Sequence, residues 1–199
     1  MTAPQGPDSA PDTALDASGA LLARIASDRA LADFLAWPGD FDIERRDPVE
    51  DLRLPTGRPL YPIAGCGAGG TYFLCGPPHT AHRPVLYADS EGQATLIGED
   101  LTEAVRLIAS FPYWRDLGRG FPPAELEAEL QEDHPDLDAR RTAVLTTLNL
   151  TPLTVPETLT HLHTCATHTA PDHIPTSTEH NEPYDLLLTP PRTPATDAP

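Results

Sequence analysis

The sequence predicts an α+β fold in one domain: a small antiparallel sheet packed with an N-terminal helix and a C-terminal helical group. Four short runs rich in β-branched, aromatic and aliphatic residues, LYPIA, TYFLC, PVLYA and QATLI, follow one another between residues 60 and 97 with turn-length links. Apolar residues at helical spacing precede them and dominate again beyond Gly120. At 199 residues and 39% hydrophobic the chain can build one core, while its 24 prolines leave part of it outside packed structure.

Residues 1–12 carry Pro4, Pro7 and Pro11 among small polar residues and read as a disordered leader. From Asp16 the positions of Leu21, Leu22, Ile25, Leu31, Phe34 and Leu35 predict one helix, stopped by Trp37-Pro38-Gly39. Phe41 to Glu44 is a candidate short strand, followed by a charged loop. The four apolar runs then predict an antiparallel meander, separated by Gly-rich, Pro-rich and DSEG turns. Asp100 with Glu103 forms an Asp version of the capping box for a helix carrying Leu101, Val105, Leu107 and Ile108, ended by Pro112. Tyr113-Trp114 are expected to fold back on the core.

Pro122-Pro123 open a short helix with Leu126 and Leu130, closed by His134-Pro135. Asp136 is expected to cap the next, with Leu137, Val144, Leu145 and Leu148. Thr154 and Glu157 predict a capping box for a third, with Val155, Leu159, Leu162 and Ala166 inward. The domain is thus expected over residues 13–166, with a helical extension from about 122. Residues 167–199 read as a mostly disordered Pro/Thr-rich tail, in which only Tyr184 to Leu188 is apolar enough to dock.

Gly65-Cys66-Gly67-Ala68-Gly69-Gly70 matches the G-x-G-x-x-G of dinucleotide-binding loops. Such a loop works by leading a strand into a helix whose N-terminal N–H groups face the pyrophosphate. Here TYFLC follows instead, and Gly76-Pro77-Pro78 arrives too soon for two helical turns. Gly65, Gly67, Gly69 and Gly70 are therefore read as a structural hairpin turn that uses positive φ or a bulge.

The order of IAGCGAGGTYFL, PVLYADSEGQATLIGEDLTEAVRLI and PYW resembles the SUKH superfamily, in which a glycine-rich turn leads into a strand, a second strand, a polar turn and a helix. The resemblance covers about residues 60–117; the helices from 122 to 166 lie beyond it. It implies a bacterial immunity protein, one that binds and neutralises a toxin domain, often a nuclease, or a relative of a fungal regulator of cell-wall synthesis.

With 30 acidic residues against 13 basic ones, all Arg, the formal charge is -17. Such a field repels phosphate backbones and anionic membranes, so neither nucleic acid nor membrane is expected as a partner, and a basic protein is favoured. The most concentrated acidic stretch, PPAELEAELQEDHPDLD, holds Glu125, Glu127, Glu129, Glu132, Asp133, Asp136 and Asp138 without an intervening Arg. It is either a solvated helix face or a strip that steers a basic toxin or nuclease surface into contact. Tyr72, Phe73, Tyr113 and Trp114 are the candidate apolar anchors for such a partner.

HLHTCATH places His161, His163, Cys165 and His168 together, with His161 and Cys165 on one helix face, a partial zinc-ligand pattern that still needs another ligand. Cys66, Cys75 and Cys165 are too few for a disulfide framework and read as buried thiols; a nucleophile at Cys66 would need His79 or His82 as base. No metal, cofactor or catalytic residue is assigned. The leading expectation is a non-catalytic, cytoplasmic protein-binding module of immunity type. The alternatives are a regulatory or scaffolding module using Tyr184 to Leu188, and a Cys-dependent enzyme.

Overall fold

The computed structural model describes residues 16–80 and 82–189. The proposed leader, residues 1–12, lies outside them. The fold is α+β. Where one N-terminal helix was expected there are two, α1 (Ala17–Ser27) and α2 (Arg29–Ala36). Asp28 takes an extended backbone between them and its carboxylate accepts the N–H groups of Ala30 and Leu31, so a residue inside the apolar periodicity acts as a cap. Both helices bury their apolar faces, through Ile25 in one and Leu31, Phe34 and Leu35 in the other.

The central meander is formed by β2 (Leu60–Gly65), β3 (Thr71–Cys75), β4 (Val85–Ala88) and β5 (Gln93–Gly98), each antiparallel to the last. A short β1 (Leu52–Arg53) precedes them. Period-two alternation splits the sheet's side chains into two cores. Tyr72, Leu74, Val85, Tyr87 and Ile97 join α1 and α2 on one face, whereas Phe73, Cys75, Leu86, Ala88, Ala94 and Leu96 pack on the other. Both faces are covered, and for that reason β3 and β4 are buried at every position. The candidate strand Phe41 to Glu44 is reduced to a single bridge from Asp42 to Gly65.

Next comes α3 (Leu101–Ser110), capped by the Asp100 carboxylate on the Glu103 N–H. Glu103 returns its bond to the Glu99 N–H at 2.9 Å, one residue earlier than in the usual box. Tyr113-Trp114 lead into a short α4 (Trp114–Gly118), and Trp114 is wholly buried. Three more helices follow: α5 (Pro123–Asp133), α6 (Leu137–Leu148) and α7 (Val155–Thr169). Asp136 precedes α6, but its side chain makes no capping bond, because its backbone (φ -98°, ψ 8°) lies outside the extended region of a capping residue. The Thr154–Glu157 box is present in full. Val155 and Leu159 are only half-buried, and Thr158, Leu162, Cys165, Ala166 and Thr169 form the inward face.

The expectation of a mostly disordered segment after residue 167 is corrected as far as residue 189. α7 runs on to Thr169, and β6 (Thr176–Ser177) pairs antiparallel with β1. Then β7 (Asp185–Leu186) joins the outer edge of β5 in parallel register, making the five-stranded sheet mixed. Tyr184, Leu187 and Leu188 are buried, so a few apolar side chains suffice to fix a segment whose composition is otherwise that of a tail. Residues 190–199 lie outside the described residues.

Candidate functional site

The glycine stretch is a turn between β2 and β3, with no helix after it. The Cys66 N–H donates to Gly70 O at 2.8 Å and the Gly69 N–H to Cys66 O at 3.2 Å. Of the four glycines singled out by spacing, only Gly69 has positive φ (89°). Gly70 serves a close approach: a Cβ there would lie 2.4 Å from the Tyr87 hydroxyl oxygen. Gly65 does likewise against Arg45, with a Cβ 2.9 Å from its backbone oxygen. Beneath the turn, Asp40 accepts the Gly67 N–H at 2.7 Å and pairs with Arg115. Arg115 also donates to the Tyr72 hydroxyl at 3.2 Å and lies over the Tyr87 and Trp114 rings. The backbone N–H groups that a phosphate would require are thus partly used inside the protein.

Cys66 sits in this cluster. Its sulfur accepts the Gly70 N–H at 3.1 Å and lies 3.5 Å from the Tyr87 hydroxyl, with no imidazole among its hydrogen-bond partners. His79 and His82 are exposed and make their bonds elsewhere, through backbone groups to Asp16 and Arg58. Burial pushes the thiols of Cys75 and Cys165 up to about 12, away from the thiolate that nucleophilic chemistry uses.

The histidine-rich face of α7 completes the sheet edge. Beyond the stretch paired by β7, the Leu96 N–H donates to Thr169 Oγ1 at 2.9 Å. His161 Nε2 donates to Ile97 O at 2.8 Å, with Cys165 Sγ 3.5 Å from the same nitrogen. His161, Cys165 and Thr169 recur at i, i+4 and i+8, which places all three along β5. His163 and His168 are exposed. Among the described residues no three His, Cys, Asp or Glu side chains converge where they could hold a metal ion. A groove of about 600 Å³ opens here, lined by His82, Leu96, Glu103, His161, Cys165 and His168. The polar side chains of His161 and Glu103 that line it are already bonded to backbone.

The acidic stretch divides into two kinds of carboxylate. Glu127 accepts two guanidinium N–H groups of Arg141 and the Tyr113 hydroxyl at 2.6 Å, a clamp that ties α5 to α6 and α4. Asp138 pairs with the same Arg141 at 2.9 Å. Glu125, Glu129, Glu132, Asp133 and Asp136 are exposed, and no ion pair among the described residues involves them. No residue of α5 is buried; Leu126 and Leu130 are half-buried beneath it. Of the four candidate anchors, Tyr72, Phe73 and Trp114 are core residues and Tyr113 is turned onto Glu127, so none is free for a partner.

Sequence reasoning overlooked an aromatic side chain that is available. Trp37, noted only as part of a helix stop, is 58% exposed and packs against His134 at the C-terminal end of α5, with ring centroids 5.6 Å apart and the ring planes inclined at 62°. The available signal was its place directly after the helix, outside the buried periodicity. Comparison with protein-family models, curated proteins and solved structures returned no match.

Proposed function

We propose that this chain is a non-catalytic protein-binding module of SUKH type, an immunity protein that occludes a basic toxin domain by direct contact. No comparison carries a family, so the reading rests on the protein's own surface. The observation that carries it is the division of labour along α5. One carboxylate, Glu127, holds the helix in place, and Glu125, Glu129 and Glu132 are exposed and take part in no ion pair among the described residues. Uncompensated like charge stores repulsion that a basic partner relieves, and it accelerates association with such a partner.

The SUKH reading draws on the order of the glycine turn, meander, capped α3 and buried Trp114, which follows the pattern of the resemblance. The non-catalytic reading draws on buried thiols and on turn amides bonded internally. No helix among the described residues is long and apolar enough to cross a membrane. The scaffolding alternative loses its proposed peptide, because Tyr184, Leu187 and Leu188 are occupied inside the fold.

The test is an affinity capture with the tagged full-length chain from its own cell lysate, run beside a Glu125→Gln, Glu129→Gln, Glu132→Gln triple variant. The reading expects one basic protein with a toxin-like domain, released by rising salt and retained less by the variant. Equal retention by both chains, or capture of a neutral complex insensitive to salt, overturns it.

A further inference from the structure

Trp37 is the most exposed aromatic residue on the described surface, and its main chain is tightly held. Its N–H donates to Asp33 O at 3.1 Å, and its carbonyl accepts from Arg140 Nη2 at 3.1 Å. Two residues on, a Cβ at Gly39 would lie 2.6 Å from Leu35 O, so the backbone packs closely against α2. The indole packs against His134 at an interplanar angle of 62°, and His134 Nε2 is buried without a hydrogen-bond partner among the described residues. The indole is therefore positioned before any partner arrives, which lowers the ordering cost of binding.

Its surroundings define the partner's chemistry. His134 lies between Asp133 and Asp136 in sequence, and both carboxylates are exposed and outside any ion pair among the described residues. Arg140, which bonds the Trp37 carbonyl, lies over the Phe34 ring, 5.5 Å from its centroid. An exposed indole packed on His134, a residue flanked in sequence by Asp133 and Asp136, suits a guanidinium, which stacks through its plane and donates through its edge; an ammonium offers only a compact point charge. The chain's net charge of -17 favours the same partner at longer range.

We propose that Trp37 anchors an arginine side chain of a basic protein partner, with the guanidinium stacked on the indole and Asp133 and Asp136 accepting its N–H groups. This rests on the basic-partner reading above and adds to it the residue that is recognised and the side chain that recognises it.

The test uses the full chain with hexa-arginine and hexa-lysine peptides at low salt, read by calorimetry and by indole emission. Trp114 is buried, so a change in emission on binding reports chiefly on Trp37. The expected result is tighter binding of hexa-arginine than of hexa-lysine. Trp37→Ala is expected to weaken the arginine peptide by about 3- to 10-fold and leave the lysine peptide nearly unchanged. Trp37→Phe is expected to restore part of the difference. Equal binding of both peptides, or an arginine preference that survives Trp37→Ala, overturns the proposal. So does self-association of the wild-type chain that Trp37→Ala abolishes, since that would assign the indole to a second copy. If a basic protein from lysate is retained equally by wild type and Trp37→Ala, the anchor falls and the basic-partner reading stands. If neither peptide nor basic protein binds, both fall.

Discussion

Asp40 and Arg115 meet beneath the glycine turn: Arg115 Nη2 lies 2.5 Å from one carboxylate oxygen of Asp40, and the other oxygen holds the Gly67 N–H at 2.7 Å. One carboxylate thus joins α4 to the β2–β3 turn. The pair is largely enclosed, with side-chain exposures of 23% and 16%, so each charge depends on the other. Asp40→Asn keeps a residue that tolerates the local φ of 54° but removes the charge. It is expected to lower stability by about 1–3 kcal/mol in urea unfolding. Arg115→Met should cost less in that background than in the wild type.

The glycines of the turn are expected to differ sharply. Gly70→Ala drives a methyl into the buried Tyr87 ring and should cost about 1–3 kcal/mol. Gly67→Ala meets only the Asp40 carboxylate, at an ordinary 3.5 Å, and should change stability by about 0.5 kcal/mol or less. Thermal unfolding of the two variants side by side checks this. Equal costs would mean that the turn is not held by the Tyr87 contact.

Carboxylates on α5 should separate into structural and dispensable ones. Glu127→Gln disrupts the Arg141 clamp and the Tyr113 bond, and is expected to destabilise by about 1–2 kcal/mol. Glu125→Gln and Glu129→Gln should stay within about 0.5 kcal/mol of wild type. Denaturant midpoints for the three variants measure the difference and show which of them can be used cleanly in binding experiments.

Acid is expected to loosen the C-terminal segment. Glu50 accepts hydrogen bonds from the Ser177 and Tyr184 hydroxyls, and these hold its carboxyl below the ordinary value of 4.5. A group depressed on folding contributes its full stabilisation above its unfolded value and loses it as pH falls through the folded value. Amide exchange over residues 176–188 should therefore quicken as pH drops below about 4.5, after correction for intrinsic rates. Glu50→Gln should exchange faster already at pH 7 and lose most of that added acid response.

The parts of this fold that were legible in the sequence are those in which a local signal and burial agree. LYPIA, TYFLC, PVLYA and QATLI became β2 to β5, and the Thr154–Glu157 box became the start of α7. Asp28 was missed because its capping role interrupts an apolar period that continues on both sides of it. The docking of Tyr184 to Leu188 was missed in its consequence: β7 depends on the free edge of β5, a long-range relation that composition does not carry. HLHTCATH looked like metal chemistry because i, i+4 spacing is also what brings His161, Cys165 and Thr169 onto a sheet edge. Trp37 escaped notice because exposure is decided by the neighbours that fail to cover a side chain.

β7 lies beside β5, and Leu188 packs so closely over α4 that a Cβ on Gly118 would lie 2.8 Å from its side chain. Because β7 follows α7 in the chain, that stretch of the β5 edge stays uncovered from the folding of α7 until residues 185–188 dock. The interval between those events is when a nascent chain would meet chaperones or another unfinished copy through the bare β5 edge. The speed with which residues 185–188 dock thus governs how long that hazard lasts.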